Sequence, residues 1–434
     1  MQLQTILNKV QKFKGYVYEN VTMSQDGKKL DVHIRPRRGS CPTCSDCGRK
    51  GAVYDHLPTA RRFEFVPLWQ IAVFFVYVMR RVDCRHCKRI VVERVPWSDG
   101  KHQTTLTYRW FLAEWGRRLS WSETAAIFRT SWQTVFRSVR YAVMWGIAHN
   151  SWENVTAIGI DEIAWKKGHK YLTLVYQINE GGRRLLFVAQ ERTKESLAQF
   201  FRMMKADNCQ RVEYVVSDMW RNYLDVVQQF VPNAVHVLDR FHVMKKFNEA
   251  LDEIRREETR ELRVAGYEPV LRKARWCLLK RPENLTDRQT TSLREILKHN
   301  LKTVRAWLSR EDFQRFWEYS SPAWAGKFLD EWTDRTMRTR LQPLMSVAAM
   351  LRRHKPLLLN WFRARGEFSA GCVEGMNGKA KLTMKKAYGF KSFNVAEVAL
   401  LHTPGKLPTP EVTHRFWRRG QKLAQAFLSP RTET

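Results

Sequence analysis

The stretch that decides the fold runs NVTAIGIDEI (154–163), KYLTLVYQI (170–178), RRLLFVAQ (183–190), TKESLAQFFRMM (193–204), VEYVVSD (212–218), RNYLDVVQQFV (221–231) and AVHVLD (234–239). The short apolar, β-branched runs predict strands, and the two segments with apolar residues at helical spacing predict helices. The turn NEGG (179–182) joins the second and third strands as a hairpin. Three antiparallel strands followed by alternating helix and strand predict a mixed α/β sheet layered with helices.

That order matches a ribonuclease-H-like fold. Asp161 then lies in the first strand and Asp218 ends the fourth, its neighbour in the sheet, so the two carboxylates are expected to meet. Glu162 alternates to the opposite face and reads as a solvated or ion-paired neighbour. Asp239, ending the next strand, is open between a further metal ligand and the cap of the helix that follows. A third carboxylate, Glu374, lies in GCVEGMNGKAKLTMKKAYGF (371–390), where helical spacing puts Glu374, Asn377 and Lys381 on one face. Asp161, Asp218 and Glu374 are the expected ligands of Mg²⁺ or Mn²⁺, with Asn377, Lys381 and Lys385 beside the DNA. Three converging carboxylates can hold two cations about 3.5–4 Å apart, the arrangement that hydrolyses or transfers phosphodiesters.

Charge supplies the substrate. Lys and Arg number 75 against 43 Asp and Glu, a formal net charge of +32, so a polyanion is the expected partner. Residues 1–150 carry 25 basic and 11 acidic side chains, residues 151–334 carry 31 and 27, and residues 335–434 carry 19 and 5. A nearly balanced middle between two basic ends suits a catalytic body flanked by segments that grip DNA. The longest apolar run, IAVFFVYVM (71–79), is too short for a bilayer, which needs about 20 residues. The start, MQLQTILNKVQKFKG, lacks a secretory pattern, so the chain is expected in the cytoplasm, at the nucleoid.

Five of the eight cysteines cluster, as Cys41-Pro-Thr-Cys44-Ser-Asp-Cys47-Gly48 and Cys84-Arg-His-Cys87. Two CxxC pairs separated by strand-like runs predict a structural zinc ribbon with Cys44, Cys47, Cys84 and Cys87 as ligands. Gly48 favours Cys44/Cys47 as the first knuckle, leaving Cys41 spare or competing. Residues 119–140, LSWSETAAIFRTSWQTVFRSVR, predict a helix-turn-helix. Ser122 is the expected cap of its first helix and Ser131 of its second, which would present Trp132, Gln133, Thr134 and Arg137 to base edges. Residues 256–365 lack strand alternation and predict an all-helical insertion, whose interleaved Trp and Arg suit either base stacking or helix cores with snorkelling arginines. The expected organisation is a zinc-binding ribbon region (1–100), a helix-turn-helix (101–150), the first part of the core (151–255), the insertion (256–365), the final core helix (366–402) and a basic tail (403–434). TPGKLPTP (403–410) reads as a linker within that tail.

The CxxC pairs, IGIDE (158–162), VVSDMWRNY (215–223), DRFHVMKKFNEALDEIRRE (239–257) and VEGMNGKAKLTMKKAYGF (373–390), in this order, resemble the transposases of the ISL-three group of bacterial insertion sequences. The resemblance implies a DDE transposase with Asp161, Asp218 and Glu374 as metal ligands. It also implies an N-terminal zinc ribbon, a helix-turn-helix and a helical insertion before the last glutamate. Asp239, Phe241 and His242 match the group's D-x-F-H motif. Transposases of this broader class often carry a Tyr and an Arg shortly before the glutamate and a Lys seven positions after it; Lys381 fits the latter, whereas Ala370 and Glu367 stand at the two upstream positions. The activity implied is binding of double-stranded terminal inverted repeats, metal-dependent cleavage there, and attack of the freed 3′-OH on target DNA. Synapsis of two ends implies a dimer or larger assembly. A nuclease without strand transfer and a non-catalytic DNA-binding regulator are the alternative readings.

Overall fold

The computed structural model describes residues 3–100, 102–166, 170–267, 271, 274–280, 282–364, 370–387 and 389–410. The chain divides into two compact units. One comprises the chain up to Asn150, Lys386–Phe390 and the described residues from Asn394 on; the other comprises Ser151–Lys385 with Lys391–Phe393.

The first unit opens with α1 (Leu3–Val10), followed by β1 (Tyr16–Met23), β2 (Lys29–Pro36), β3 (Ala52–His56), β4 (Arg61–Leu68), β5 (Ile71–Tyr77), β6 (Arg80–Cys84) and β7 (Arg89–Val92). Residues 1–100 thus hold more than the expected ribbon. A four-stranded sheet, order β1-β2-β5-β4, stands beside a three-stranded sheet, order β3-β6-β7. The larger sheet buries alternate residues of β2 (Leu30, Val32, Ile34) in an aromatic core with Phe63, Phe75, Tyr77 and Trp97. Near the smaller sheet a buried ion pair ties the loops: Arg80 meets Glu93 at 2.7 Å, and Glu93 also accepts from Tyr77 at 2.7 Å.

Three helices follow, α2 (Leu106–Arg118), α3 (Trp121–Ile127) and α4 (Trp132–Ala148). The cap of α3 is Ser120, not Ser122. Ser120 accepts from the Glu123 N–H while the Glu123 carboxylate accepts from the Ser120 N–H, a reciprocal box that Ser122 has no acid to complete. Arg129, at φ 50°, breaks the helix, and Ser131 caps α4 through the Thr134 N–H. Residues 403–410 do not hang free as a linker. Leu407 is buried against α4 at Gly146, where an added Cβ would lie 2.6 Å from the Leu407 Cβ. The rest of the expected basic tail, 411–434, lies outside the described residues.

In the second unit, β8 (Ala157–Lys166), β9 (Lys170–Gln177), β10 (Arg184–Gln190), β11 (Tyr214–Ser217) and β12 (Val235–Leu238) form one sheet of order β10-β9-β8-β11-β12. The first three are antiparallel and the last two run parallel to β8. The strand centres are apolar on both faces because helices cover both. The helices α5 (Lys194–Met204) and α7 (Arg221–Phe230), joined through α6 (Ala206–Cys209), bury Phe200, Phe201, Tyr223 and Val226 in one core with Ile158, Ile160 and Val175.

A helix follows Asp239 directly, as the capping reading requires, and it packs with the helical region although it begins before the expected insertion bound of 256. Asp239 caps α8 (Arg240–Val264) directly after β12, and α9 (Arg275–Leu279), α10 (Asp287–Leu297), α11 (Lys302–Gln314), α12 (Pro322–Met337), α13 (Gln342–Arg353) and α14 (Lys355–Arg363) continue it. Trp307, Trp317 and Trp332 lie in this helical core with Phe247, Phe313 and Phe316, and Arg240 lies over the Trp317 ring. Trp276 and Trp324 are exposed, so the tryptophans divide between packing and surface. The last helices are α15 (Ala370–Lys386), which carries Glu374, and α16 (Phe393–His402). No described helix is long and apolar enough to cross a membrane.

Candidate active site and metal centre

Strand register brings the acids to one level. Val216 of β11 pairs with Gly159 of β8, and two residues past that pair on each strand come Asp218 and Asp161. Ser217 pairs with Leu238 of β12, and one residue further come Asp218 and Asp239. Three aspartates therefore sit at one level: Asp218 and Asp239 just past the carboxyl ends of β11 and β12, and Asp161 midway along β8, two residues beyond its last pair with β11. The carboxyl ends of parallel strands are where open α/β sheets bind ligands.

Gly159 admits the fourth acid. A Cβ there would lie 2.7 Å from the Val373 Cγ2, so only glycine lets α15 approach β8 this closely. With Val373 on the strand, the buried Asn377 donates to the Asp161 carboxylate and accepts from the Tyr176 hydroxyl at 2.7 Å. Asn377, expected at the DNA, is thus spent inside the protein, orienting Asp161. Glu374, one helical turn back, is exposed, as are Lys381 and Lys385. Its charge reaches Asp239.

The acids are held in two groups. His242 Nε2 stands 3.6 Å from Asp161 and 3.9 Å from Asp239. Asp239 is buried and accepts from the Phe241 N–H at 2.8 Å; burial, with the Asp161 and Glu374 charges adding, pushes its carboxyl up to about 6. Burial lowers the His242 pKa, but Asp161, Asp239 and Asp218 outweigh it and the net shift is upward. In the second group Arg192 bridges Asp218, at 2.5 Å, and Glu162, at 2.7 Å, while lying over the Trp220 ring. The Trp220 N–H donates to the other Asp218 oxygen at 3.0 Å. Glu162 is ion-paired, as its alternation suggested, and burial raises its pKa.

Arg192 and Tyr176 were not legible as site residues. Arg192 sits in a loop after β10 with no periodicity to mark it, and Tyr176 reads as one more apolar strand residue. His242 was visible only within its motif.

The first unit holds a different site. Ligand atoms of Cys44, Cys47, Cys84 and Cys87 lie within 4.8 Å of one another, the one such group among the described residues. The Asp161, Asp218 and Glu374 carboxylates form no group that close. Gly48, at φ 72°, turns the first CxxC so that its N–H donates to the Cys44 carbonyl; Lys88, at φ 53°, does the same for Cys84. The Cys87 N–H donates to the Cys84 sulfur, which draws that thiol down to about 7 and favours the thiolate that metals bind. Cys41 is exposed and stands outside the group. On α4, Trp132, Gln133 and Arg137 are exposed and Thr134 is half-buried.

A family model described as a transposase, the DDE type of the ISL3 group, matches residues 158–400. The chain is 30% identical over 430 residues to the transposase for insertion sequence element IS1557 of Mycobacterium tuberculosis, covering 91% of this chain and 94% of that protein. It is 26% identical over 382 residues to the transposase for insertion sequence element IS1001 of Bordetella parapertussis, covering 87% of this chain and 93% of that protein. A match across more than half of this chain, with relatives aligned almost end to end, makes the chain a member of the ISL3 family of DDE transposases.

Proposed function

We propose that this DNA transposase cuts and joins strands with a ribonuclease-H-like core in which Asp161, Asp218 and Glu374 hold two divalent cations. The observation that carries this is the register that brings Asp161 of β8 level with Asp218 and Asp239, just past the ends of β11 and β12, beneath a helix that Gly159 lets down with Glu374 on it.

The donor set fits Mg²⁺ or Mn²⁺. All its ligands are hard carboxylate oxygens, and Asp239, whose carboxyl is raised chiefly by burial with the Asp161 and Glu374 charges adding, stands beside them. Bound there, such ions would activate water and steady the leaving 3′ oxygen. The chain's own groups prepare the geometry. Asn377 fixes the Asp161 carboxylate, Arg192 and the Trp220 N–H fix Asp218, and Asp239 caps α8 so that His242 faces Asp161. Lys381 and Lys385, exposed along α15, are placed to take phosphates of the bound strand.

In the first unit, the four cysteines suit a closed tetrahedral zinc site. The helices α3 and α4 serve as a helix-turn-helix, with Trp132, Gln133, Thr134 and Arg137 reading the terminal repeats of the element. Two ends brought together require at least a dimer on DNA.

The test uses a labelled duplex carrying an element end. Nicking in Mg²⁺ or Mn²⁺ that disappears with EDTA, and in each of Asp161→Ala, Asp218→Ala and Glu374→Ala while end binding persists, is the expected result. Undiminished nicking in any of the three removes that residue from the site.

A further inference from the structure

Beside α4 the first unit contains a cleft of about 1030 Å³, walled by β4 on one side and by the α4 flank from Thr134 to Met144 on the other. Its charge is unequally compensated. Arg109 is paired with Asp99 at 2.7 Å, and Arg62 with Asp31 at 2.5 Å. Among the described residues Arg61 donates only to backbone carbonyls, of Gly100 at 3.1 Å and His102 at 3.5 Å, and makes no ion pair, so its charge is unopposed there. Arg137 and Arg140, one turn apart and exposed, have no ion pair or hydrogen bond among the described residues. Glu64, the remaining acid of the lining, makes no ion pair among the described residues, and burial raises its pKa.

Three unopposed guanidiniums thus face one channel, and one of its walls belongs to the helix whose first turn presents Trp132 and Gln133. Guanidinium groups bind phosphate oxygens through paired N–H donors, and Arg137, one turn past Gln133 on the same helix, lines the cleft. We propose that this cleft is a phosphate-binding channel that seats the backbone of the same double-stranded DNA, extending the interface from α4 onto the β4 edge of the four-stranded sheet. Arg61 and Arg140 are its anchoring residues. The identity of the ligand as DNA rests on the transposase reading; the channel itself does not depend on α4 reading bases.

Salt dependence tests it, because log K falls with log salt at a slope of about −0.9 per neutralised phosphate. The full chain is titrated, over a KCl series, with a duplex carrying the element end and with a scrambled duplex of equal length. Arg140→Ala, at an exposed position with no partner to lose, should flatten the slope by about 0.9 for both duplexes. Arg61→Gln should do likewise, and Arg61→Lys should retain the slope. Unchanged slopes in Arg140→Ala and Arg61→Gln, with metal content and melting as in the unaltered chain, would overturn the channel. Gln133→Ala separates the two readings. If it leaves discrimination between the duplexes intact while Arg140→Ala still flattens the slope, α4 does not read bases and the channel stands.

Discussion

Gly159→Ala is the sharpest perturbation of the second unit. The added methyl would sit 2.7 Å from Val373 Cγ2 and 3.2 Å from Ile178 Cγ2. Carbon atoms rest about 3.5–4.0 Å apart, so α15 must back away by about 1 Å. Overpacking of this kind costs about 1–3 kcal/mol. In a unit of this size that is about 2–4 °C of melting temperature per kcal/mol. The effect on activity should be larger than the effect on stability. Glu374 follows Val373 directly, and Asn377 on the same helix holds Asp161, so the shift separates the helix-borne acid from the strand-borne ones. A misplacement of about 1 Å can cost about 10²-fold in rate. Single-turnover nicking of an end duplex at saturating protein reads this directly. Val373→Ala removes the clashing Cγ2 and should restore much of the rate to Gly159→Ala, although alone it forfeits a buried valine's contribution of about 1.5–3 kcal/mol. Wild-type nicking by Gly159→Ala, or no recovery in the double variant, would refute the claim that this approach of α15 to β8 sets the site.

Three further outcomes are expected. Asn377→Ala should lower cleavage by about 10–100-fold through a looser Asp161, as loss of a ligand's orienting partner does, while binding of the end duplex in EDTA is unchanged. Cys84→Ser should release one equivalent of zinc by elemental analysis and destabilise the first unit, whereas Cys41→Ser should leave the zinc in place. Glu93→Ala strands the buried Arg80 guanidinium and should cost about 3–5 kcal/mol, read as a fall in the denaturant midpoint of the first unit.

What the sequence revealed, and what it hid, has physical reasons. Strands 157–166 and 214–217 announce themselves because helices cover both faces and the runs must be apolar, and the parallel register then puts Asp161 level with Asp218 without any further signal. The CxxC pairs were equally plain, since a tetrahedral site leaves little choice of residue or spacing. The direction of Asn377 was hidden. Helical spacing shows that it shares a face with Glu374, but whether that face looks at DNA or at β8 is decided by Gly159, more than two hundred residues away in the chain. The start of α8 was legible, since Asp239 ahead of an amphipathic run is a capping signal; that α8 packs into the core of the helical insertion was not. The four-stranded sheet carries no residue type as restrictive as the cysteines of its neighbour, and its signal is confined to alternation such as that of KLDVHIRP. Arg192 could not have been found, because a loop cation acquires its role only from where the loop lands.

The placing of Arg192 and His242 explains how so many acids share one sheet edge. Asp161, Asp218, Asp239, Glu162 and Glu374 would repel one another in any compact arrangement, and a buried carboxylate without a partner either protonates or opens the site. The fold divides the load. Arg192 takes Glu162 and Asp218, and its planar guanidinium is steadied by the Trp220 face, so it can serve two carboxylates without leaving either. His242 takes Asp161 and Asp239, and the upward shift of its pKa measures how much negative charge surrounds it despite its burial. Glu374 alone has no cation of its own among the described residues, and it is the acid delivered by a helix rather than by the sheet. An acid left exposed and unpaired beside an over-charged cluster is the one free to respond when further positive charge enters. On the proposed reading the sheet supplies a fixed, partly neutralised platform, and α15 would supply the carboxylate that completes it.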